Sequence, residues 1–418
     1  MRKRGWLALA LLALAMFVVA GCGDDDDDGG SGGGGGGGGE TIKVGASLPL
    51  TGEFSEPGKA AQQGYKVWEA LVNEKGGLID GRNVEMVIKD DASNQNTIVA
   101  DYNALISQDR VDLLLGTFSS LLNLPASAVA ERNRMLFVEP AGGAPELFDR
   151  GFQYLFFAQQ ATADKQGDAW ANWLTTELPE SERPKTAAYP TLDDPFAQPT
   201  SEGIEKKLTA AGIKTVYRET YTIDNPNYDA IANAVKSSGA DLVVHGATFE
   251  DGVGMVRALQ KANFTPQMLY QTTAPSLGDQ YSKAIGRDAT EGIFYGVSHS
   301  KESSTPGNEE FVAKYREMFG GDEVPEDAAD GYAAAQVLQA AVEAVGSVER
   351  EDQQKLADWL RENEVETILG TLSWDETGAP TGEFLAGQWQ SGVPEIILPE
   401  EAATTEEILP RWDPGVQN

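Results

Sequence analysis

Hydrophobic and polar residues alternate between two periodicities from residue 41 onward. Short apolar runs predict buried strands, and segments with apolar residues three or four positions apart predict helices. In the first half of the chain these patterns predict strands at residues 42–48, 84–88, 111–115 and 135–138, and helices at 58–74, 97–108 and 122–133. Alternation of strands and helices predicts a parallel sheet that is covered by helices on both faces.

The same alternation restarts in the second half of the chain. It predicts strands at residues 186–189, 215–221, 241–245 and 267–270, and helices at 200–211, 228–238, 253–263, 331–345 and 352–363. The tail after Gln388 is rich in Pro and Glu and shows little pattern. We therefore expect an α/β protein with two doubly wound parallel-sheet lobes. Ligands of open parallel sheets bind beyond the carboxyl ends of the strands, so two facing lobes predict a ligand cleft between them.

The first residues of the chain are typical of a signal peptide. Basic residues at 2–4 precede an apolar run over 6–20, which is too short for a comfortable membrane span. Small residues then precede Cys22, as in the lipobox of bacterial lipoproteins, in which the chain is cut before the cysteine and the cysteine is acylated. We predict a signal peptide over 1–21 and lipidation of Cys22; an ordinary secretory signal is the alternative.

An Asp- and Gly-rich segment follows and completes residues 22–39. Asp24 to Asp28 precede a run of glycines that is broken only by Ser31, and this composition predicts a flexible tether. Calcium binding by the aspartates is an alternative. A solvated spacer is favoured, because carboxylates without rigid geometry bind divalent ions weakly.

The charge balance excludes several function classes. The chain has 418 residues and a formal net charge of −33, from 32 Lys and Arg against 65 Asp and Glu. Such a polyanion is not expected to bind nucleic acid or to dock broadly on an anionic membrane, so membrane contact is predicted only through the lipid anchor. One cysteine excludes an intrachain disulfide and a Cys-rich zinc site. The only histidines are His245 and His299, and no metal or cofactor is predicted.

Two loops that follow predicted strands carry candidate binding chemistry. The strand at 111–115 runs into a turn that ends in Ser119 and Ser120 and opens a helix. A helix N-terminus presents free N–H groups and the positive end of a dipole, and it therefore favours a carboxylate. The alternative is that one of these serines only caps the helix. The loop after the next strand contains Gly142 and Gly143, which allow close approach of the backbone to a ligand.

Several segments then occur in a characteristic order. They are the opening at 42–52, the stretch at 73–81 with the acidic pair at 90–91, the loops at 116–120 and 140–147, and the later stretches at 289–292 and 372–378. Their order and spacing resemble the branched-chain (hydrophobic) amino-acid type of ABC-importer substrate-binding proteins, which have the type I periplasmic-binding fold. The resemblance spans residues 43 to 390, which is nearly all of the predicted folded part.

The resemblance implies an organisation and a function. It implies two lobes joined by a three-segment hinge, with residues 40–162 and 295–382 in the first lobe and 163–294 and 383–418 in the second lobe and tail. It also implies a monomer outside the cytoplasm that closes on a small-molecule ligand and delivers it to an ABC permease with its ATPase subunits. No catalytic role is implied. A branched-chain amino acid is the default ligand, and aromatic carboxylates, amides and urea-like solutes remain open.

The resemblance further implies ligand contacts. Ser120 and the backbone of Gly142 and Gly143 match the first-lobe contacts that hold a ligand carboxylate, with Ser119 beside them. The remaining candidates come from loops expected to face the cleft, and they are Phe118, Phe196, Thr248, Phe249 and Thr272.

Three departures from the family pattern concern the ligand. Amino-acid binders of this type carry a hydroxyl residue where Gly143 stands, and an acidic residue of the second lobe holds the ligand ammonium. Here the matching loop at 270–273 has no carboxylate, and Pro57 stands where the family often has an aromatic residue. A desolvated ammonium needs a charged partner or several acceptors, so either another acid supplies it or the ligand is not an ordinary α-amino acid. Candidate replacements, each also explicable as a solvated loop charge, are Asp193, Asp194, Glu250 and Asp251.

Three other readings remain as alternatives. A ligand-sensing receptor module would use the same fold. A lipid-anchored hydrolase would need a nucleophile and a base, but no G-x-S-x-G elbow falls on a predicted strand–helix turn, and His245 is the one strand-end histidine that could reach the cleft. A dinucleotide loop at Gly252 and Gly254 lacks the third glycine of its motif.

Overall fold

The computed structural model describes residues 41–415 except 223 and 225. The predicted signal peptide, Cys22 and the tether over 22–39 lie outside the described residues. Within the described part, every helix is too short or too polar to span a bilayer.

The described residues form strands and helices in regular succession. The strands are β1 (Ile42–Leu48), β2 (Val84–Asp90), β3 (Leu113–Leu115), β4 (Phe137–Glu139), β5 (Leu155–Phe157), β6 (Thr186–Leu192), β7 (Lys214–Tyr221), β8 (Leu242–His245), β9 (Met268–Gln271), β10 (Phe294–Val297), β11 (Val365–Thr367), β12 (Gly370–Leu372), β13 (Leu385–Gln390) and β14 (Val393–Leu398). The α-helices are α1 (Ser55–Glu74), α2 (Gln95–Ala104), α3 (Ser120–Arg132), α4 (Pro145–Phe148), α5 (Asp168–Asn172), α6 (Ala197–Ala210), α7 (Tyr228–Ser238), α8 (Phe249–Lys261), α9 (Asp279–Ile285), α10 (Asn308–Phe319), α11 (Glu326–Val345) and α12 (Gln353–Glu362).

Two sheets organise these elements. The first has the order β2-β1-β3-β4-β5 and is parallel throughout. The second has the order β14-β13-β10-β9-β8-β6-β7, with two antiparallel strands, β13 and β14, at one edge of a parallel core. The predicted class, α/β with two parallel-sheet lobes, is confirmed.

Each sheet is buried on both faces. In β3, Leu113 and Leu115 belong to a core that includes Trp68 of α1, whereas Leu114 belongs to the opposite core with Tyr102 of α2. Consecutive residues of a strand point to opposite faces, so a continuous apolar run places side chains in both cores. This explains why β3 consists of three consecutive leucines.

The chain passes between the sheets three times. It leaves the first sheet after β5, leaves the second after β10, and returns to it between β12 and β13. Helices α10, α11 and α12 contribute to the core of the first sheet. The predicted lobe boundary between residues 294 and 295 falls inside β10. This strand pairs with β9 and β13 of the second sheet, so the crossover begins after Val297.

The tail is more ordered than its sequence pattern predicts. After Gln388 the chain completes β13 and forms β14. Further along, Trp412 is buried, and its indole N–H donates a hydrogen bond to the carbonyl of Ala289 at 2.8 Å. These contacts join the tail to the second sheet.

Helices α1 and α11 approach each other at backbone distance. A Cβ atom at Gly64 would overlap the carbonyl oxygen of Ala328, and one at Gly331 would lie 2.7 Å from the carbonyl oxygen of Ala61. Only glycine at these two positions lets the helices pack this closely. The contact fixes the first turn of α11 relative to the first sheet.

Replacing Gly64 with Ala tests this contact. Gly64→Ala is expected to lower the free energy of unfolding by about 1–3 kcal/mol, because the added methyl forces α1 and α11 apart. Urea denaturation of both proteins measures the difference. The exposed Lys59→Ala change on the same helix should stay within about 0.5 kcal/mol of the parent. Equal stability of Gly64→Ala and the parent would contradict the packing argument.

Candidate ligand-binding site

A cavity lies where the carboxyl ends of the strands of both lobes meet. It contains about 590 Å³ of space between protein atoms, part of it open to solvent. The first lobe lines it with Phe118, Ser119, Ser120, Ala141, Gly142 and Phe157. The second lobe lines it with Asp194, Phe196, Thr248, Thr272, Thr273 and Ser276. The crossovers and the first turn of α11 supply Gln159, Gln166, Glu326, Asp327, Asp330 and Phe384.

The loop after β3, called the serine loop here, comprises residues 116–120 and begins α3. Ser119 occupies the N-cap position in extended conformation, but its side chain makes no capping hydrogen bond. Its hydroxyl is buried without a partner, and the residue is 7% exposed. The Ser120 hydroxyl accepts a hydrogen bond from the backbone N–H of Ala144 at 3.1 Å. The capping alternative therefore does not account for the Ser119 hydroxyl, which is available to a ligand beside the free N–H groups of the helix.

Asn123 holds the serine loop to the loop after β4, residues 140–147, which is called the glycine loop here. Its side-chain oxygen accepts from the N–H of Thr117 at 3.1 Å. Its amide nitrogen donates to the carbonyls of Thr117 at 2.8 Å and Ala141 at 3.1 Å. This role of Asn123 could not be predicted from the sequence, because a polar residue on the first turns of a helix is ordinarily solvated.

The two predicted glycines have different surroundings. Gly142 lines the cavity, and a Cβ there would overlap the carboxyl group of Glu139. Gly143 does not line the cavity, and a Cβ there would lie 2.6 Å from the ring of Phe157. The hydroxyl residue that the family carries at this position has no room in this chain, which explains the departure.

Glu139 lies beneath the glycine loop with both carboxyl oxygens buried and unpaired. Burial raises the pKa of this carboxyl well above its usual range. Burial therefore favours the neutral form of this carboxyl group beside the serine loop.

In the second lobe, three of the four predicted residues reach the cavity. Phe196 is half-buried at its wall. The Thr248 hydroxyl donates to Asp251 at 2.7 Å, and the Thr272 hydroxyl donates to the carbonyl of Ala247 at 2.7 Å. Phe249 does not line the cavity and packs instead against the core of the second lobe.

Of the four acids considered as ammonium partners, only Asp194 lines the cavity. One of its oxygens accepts from the N–H groups of Phe196 at 2.8 Å and Ala197 at 3.0 Å, so it caps α6. Asp251 is buried and accepts from Thr248 and Tyr228, while the remaining two acids are exposed.

A group of three acidic residues that line the cavity was not predicted from the sequence. Glu326, Asp327 and Asp330 lie on the first turns of α11, whereas the predicted helix began at residue 331. Pro325 followed by two acidic residues is a helix-start signal that could have extended the prediction.

His245 is held away from the cavity. Its Nε2 lies 2.7 Å from the Tyr221 hydroxyl and its Nδ1 lies 3.0 Å from the side-chain nitrogen of Gln271. Complete burial lowers the pKa of His245 to about 3, so the ring is neutral. Its two ring nitrogens are paired with buried side chains of the second lobe, and it is not placed to act on a ligand.

Known proteins share both the sequence pattern and the fold. The sequence profile of the periplasmic binding protein family matches residues 41–394. A leucine-, isoleucine-, valine-, threonine- and alanine-binding protein of Pseudomonas aeruginosa is 25% identical over 354 residues, covering 84% of this chain and 90% of that protein.

Two solved structures illustrate the shared fold. A branched-chain amino acid transporter substrate-binding protein from Streptococcus pneumoniae, solved with isoleucine, has a TM-score of 0.74 at 19% identity, covering 86% of this chain and 100% of that one. An ABC-transporter solute-binding protein from R. palustris, solved with benzoate, has a TM-score of 0.74 at 20% identity, covering 88% and 99%. With the family profile extending over most of the described residues, this chain belongs to the periplasmic binding protein family, which confirms the resemblance found in its sequence.

Proposed function

We propose that this protein is the solute-binding component of an ABC importer and captures a small carboxylate-bearing solute, by default an amino acid, between its two lobes. The observation that carries the proposal is the buried, unpartnered hydroxyl of Ser119 at the N-terminus of α3, in a cavity lined by both lobes. A ligand carboxylate would accept from this hydroxyl and from the backbone N–H groups at the start of α3, with the N–H of Gly142 nearby.

The apolar part of the ligand would lie against aromatic walls from both lobes. Phe118 belongs to the first lobe, Phe196 to the second, and Phe384 to the third crossover. The isoleucine and benzoate bound by the two solved relatives are chemically different, yet both carry a carboxylate next to an apolar group. This shared feature supports binding of a carboxylate at the serine loop. The specificity for the rest of the ligand would depend on the other residues that line the cavity of this chain.

Capture would proceed by hinge closure at the three crossovers. A ligand stabilises the closed form only by as much as it binds that form more tightly than the open one. Contacts from both lobes to one ligand provide this difference, since a ligand held by the serine loop reaches Phe196 and Thr272 only when the lobes face each other. The closed form would then be presented to the permease and its ATPase subunits.

No catalytic step is assigned to the cavity. The family is one of binding proteins, and none of the described residues around the cavity is His, Cys or Lys. A hydrolase would need a base within hydrogen-bond reach of a nucleophile, and His245 is engaged elsewhere. This supports binding without chemistry.

Family membership implies a location outside the cytoplasm. We propose in addition that the protein is a monomer anchored to the membrane through lipidated Cys22, with residues 22–39 as the tether. Several acyl chains on one cysteine hold firmly, because each buried CH₂ contributes about 0.8 kcal/mol.

Ser119→Ala tests the ligand site. L-Leucine, L-isoleucine, L-valine and benzoate are the probes, and a ligand at about 100 times its Kd stabilises the protein by about 2.7 kcal/mol in a thermal-shift assay. For each probe that binds, the variant is expected to lose about 1.5–3 kcal/mol of binding free energy, measured by calorimetry, because a hydrogen bond to a charged group is removed. The exposed Ser107→Ala change should leave the affinity unaltered. Unchanged affinity in Ser119→Ala would refute the assignment of the carboxylate site.

Cys22→Ser tests the anchor. Cells that express the parent chain and are fed labelled palmitate should yield a labelled protein in the membrane fraction. The variant should carry no label, because it lacks the thiol that is predicted to be acylated. Ser31→Ala, in the tether, serves as the matched control and should remain labelled. Label that persists in Cys22→Ser would contradict the lipoprotein assignment.

A further inference from the structure

The first turns of α11 bring three carboxyl groups to the wall of the cavity. Glu326 is half-buried, and Asp327 and Asp330 are 6% and 2% exposed. None of the described residues lining the cavity is Lys, Arg or His. These acids therefore face the ligand space without a protein cation to balance them.

Two of the three carboxyl groups are engaged by the protein. The Ser298 hydroxyl lies 2.8 Å from Glu326 Oε1 and 2.6 Å from Asp330 Oδ1. The second oxygen of Asp330 accepts from the side-chain nitrogen of Gln159 at 2.6 Å. Ser298 is the donor in both contacts, so its single hydroxyl proton links the two carboxyl groups.

Asp327 is different, because its Oδ2 is buried without any hydrogen-bond partner. The side-chain oxygen of Gln166, 8% exposed and also at the cavity wall, is unpartnered as well. Buried acceptors without donors are costly and uncommon in folded proteins. Two of them in one cavity point to a ligand that brings N–H donors, and the acid among them can pair with a positive charge once it gives up its proton.

We propose that Asp327, supported by Glu326 and Asp330, binds the ammonium group of the ligand. The chemical class recognised is a small organic ammonium compound, and together with the serine loop it is a zwitterion of the amino-acid type. The proposal rests on the proposed function and narrows it, because carboxylates without an ammonium group would leave Asp327 unpaired. It also supplies the acid that the loop after β9 lacks, from the first turn of α11 in place of the second lobe.

The electrostatics of the empty cavity agree with this assignment. Burial and the nearby Glu326 raise the pKa of Asp327 to about 8. The other ionisable groups that share the cavity are Glu326 and Asp330 on the same helix and Asp194 after β6. At pH 7 Asp327 therefore holds a proton, which a bound ammonium displaces. Affinity for an ammonium ligand should rise from pH 6 to pH 8 as Asp327 ionises, and binding at pH 7 should release a proton.

The test uses the full-length protein and probes that separate the two charged groups. They are the common L-amino acids, 4-methylpentanoate and benzoate as carboxylates without an ammonium, and 3-methylbutylamine as an ammonium without a carboxylate. Thermal shift identifies the binders and calorimetry measures their affinity. We expect at least one amino acid to bind, and to bind at least about a hundredfold more tightly than either carboxylate. Carboxylates that bind as tightly as every amino acid would overturn the proposal.

Asp327→Asn keeps the shape of the side chain and removes its charge. It is expected to weaken binding of the amino-acid probe about tenfold to a hundredfold and to abolish both the rise in affinity between pH 6 and pH 8 and the proton release. Glu343→Gln, at the exposed far end of α11, should leave affinity and pH profile as in the parent. A purely structural role of Asp327 would alter stability without flattening the pH profile, so an unchanged profile would overturn the proposal.

The experiments distinguish failure of the proposed function from failure of the role of Asp327. If the carboxylates bind and Ser119→Ala weakens them, while amino acids gain nothing from their ammonium group, solute capture stands and the role of Asp327 is refuted. If none of the probes, ammonium compounds included, shifts the melting temperature at millimolar concentration, both the amino-acid specificity and the role of Asp327 are refuted.

Discussion

The site depends on one stretch of helix α1, at Gly64 and Tyr65. The absence of a side chain at Gly64 lets α1 approach the backbone of α11, and this contact sets where the first turn of α11 lies. The hydroxyl of the next residue, Tyr65, donates to the carbonyl of Gly116 at 2.9 Å, at the start of the serine loop. Adjacent residues of one helix therefore position both parts of the proposed ligand site, the serine loop and the first turn of α11. Helix α1 therefore both packs in the core of the first lobe and positions the proposed ligand-binding residues.

Polar groups around the cavity divide into those that the protein satisfies and those that it does not. Asn123, Ser120 and Asp330 have protein partners, and these hydrogen bonds hold the loops after β3 and β4 and the start of α11 in place. Ser119, Asp327 and Gln166 each keep a buried polar atom without a partner. Leaving such groups unpaired costs free energy, so their occurrence in one cavity is best explained by a ligand that pairs them.

Much of the fold follows from the sequence, because long strands and amphipathic helices carry a clear period. Strands β5 and β10 to β14 were not predicted. Their length alone does not explain this, because β3 and β4 are also only three residues long and were predicted. In the site, the serine loop was located from its glycine, hydroxyls and helix start. The acidic residues at the start of α11 were not located. The clear helical pattern begins with the Ala-rich run after residue 331, so the predicted helix began there and not at Glu326. Gly143 packs against Phe157, and Phe249 packs against the core of the second lobe. These are tertiary contacts, which the local sequence pattern does not predict.

The contact between Gly143 and Phe157 limits how ligand specificity could be redesigned in this protein. Grafting the relatives' hydroxyl residue onto position 143 would place its Cβ against an aromatic ring that is itself fully buried between β5 and the cavity. A biosensor built on this scaffold would therefore need a smaller residue at 157 together with the hydroxyl at 143. Positions 143 and 157 therefore have to be changed together, because a side chain at 143 would overlap the ring of Phe157.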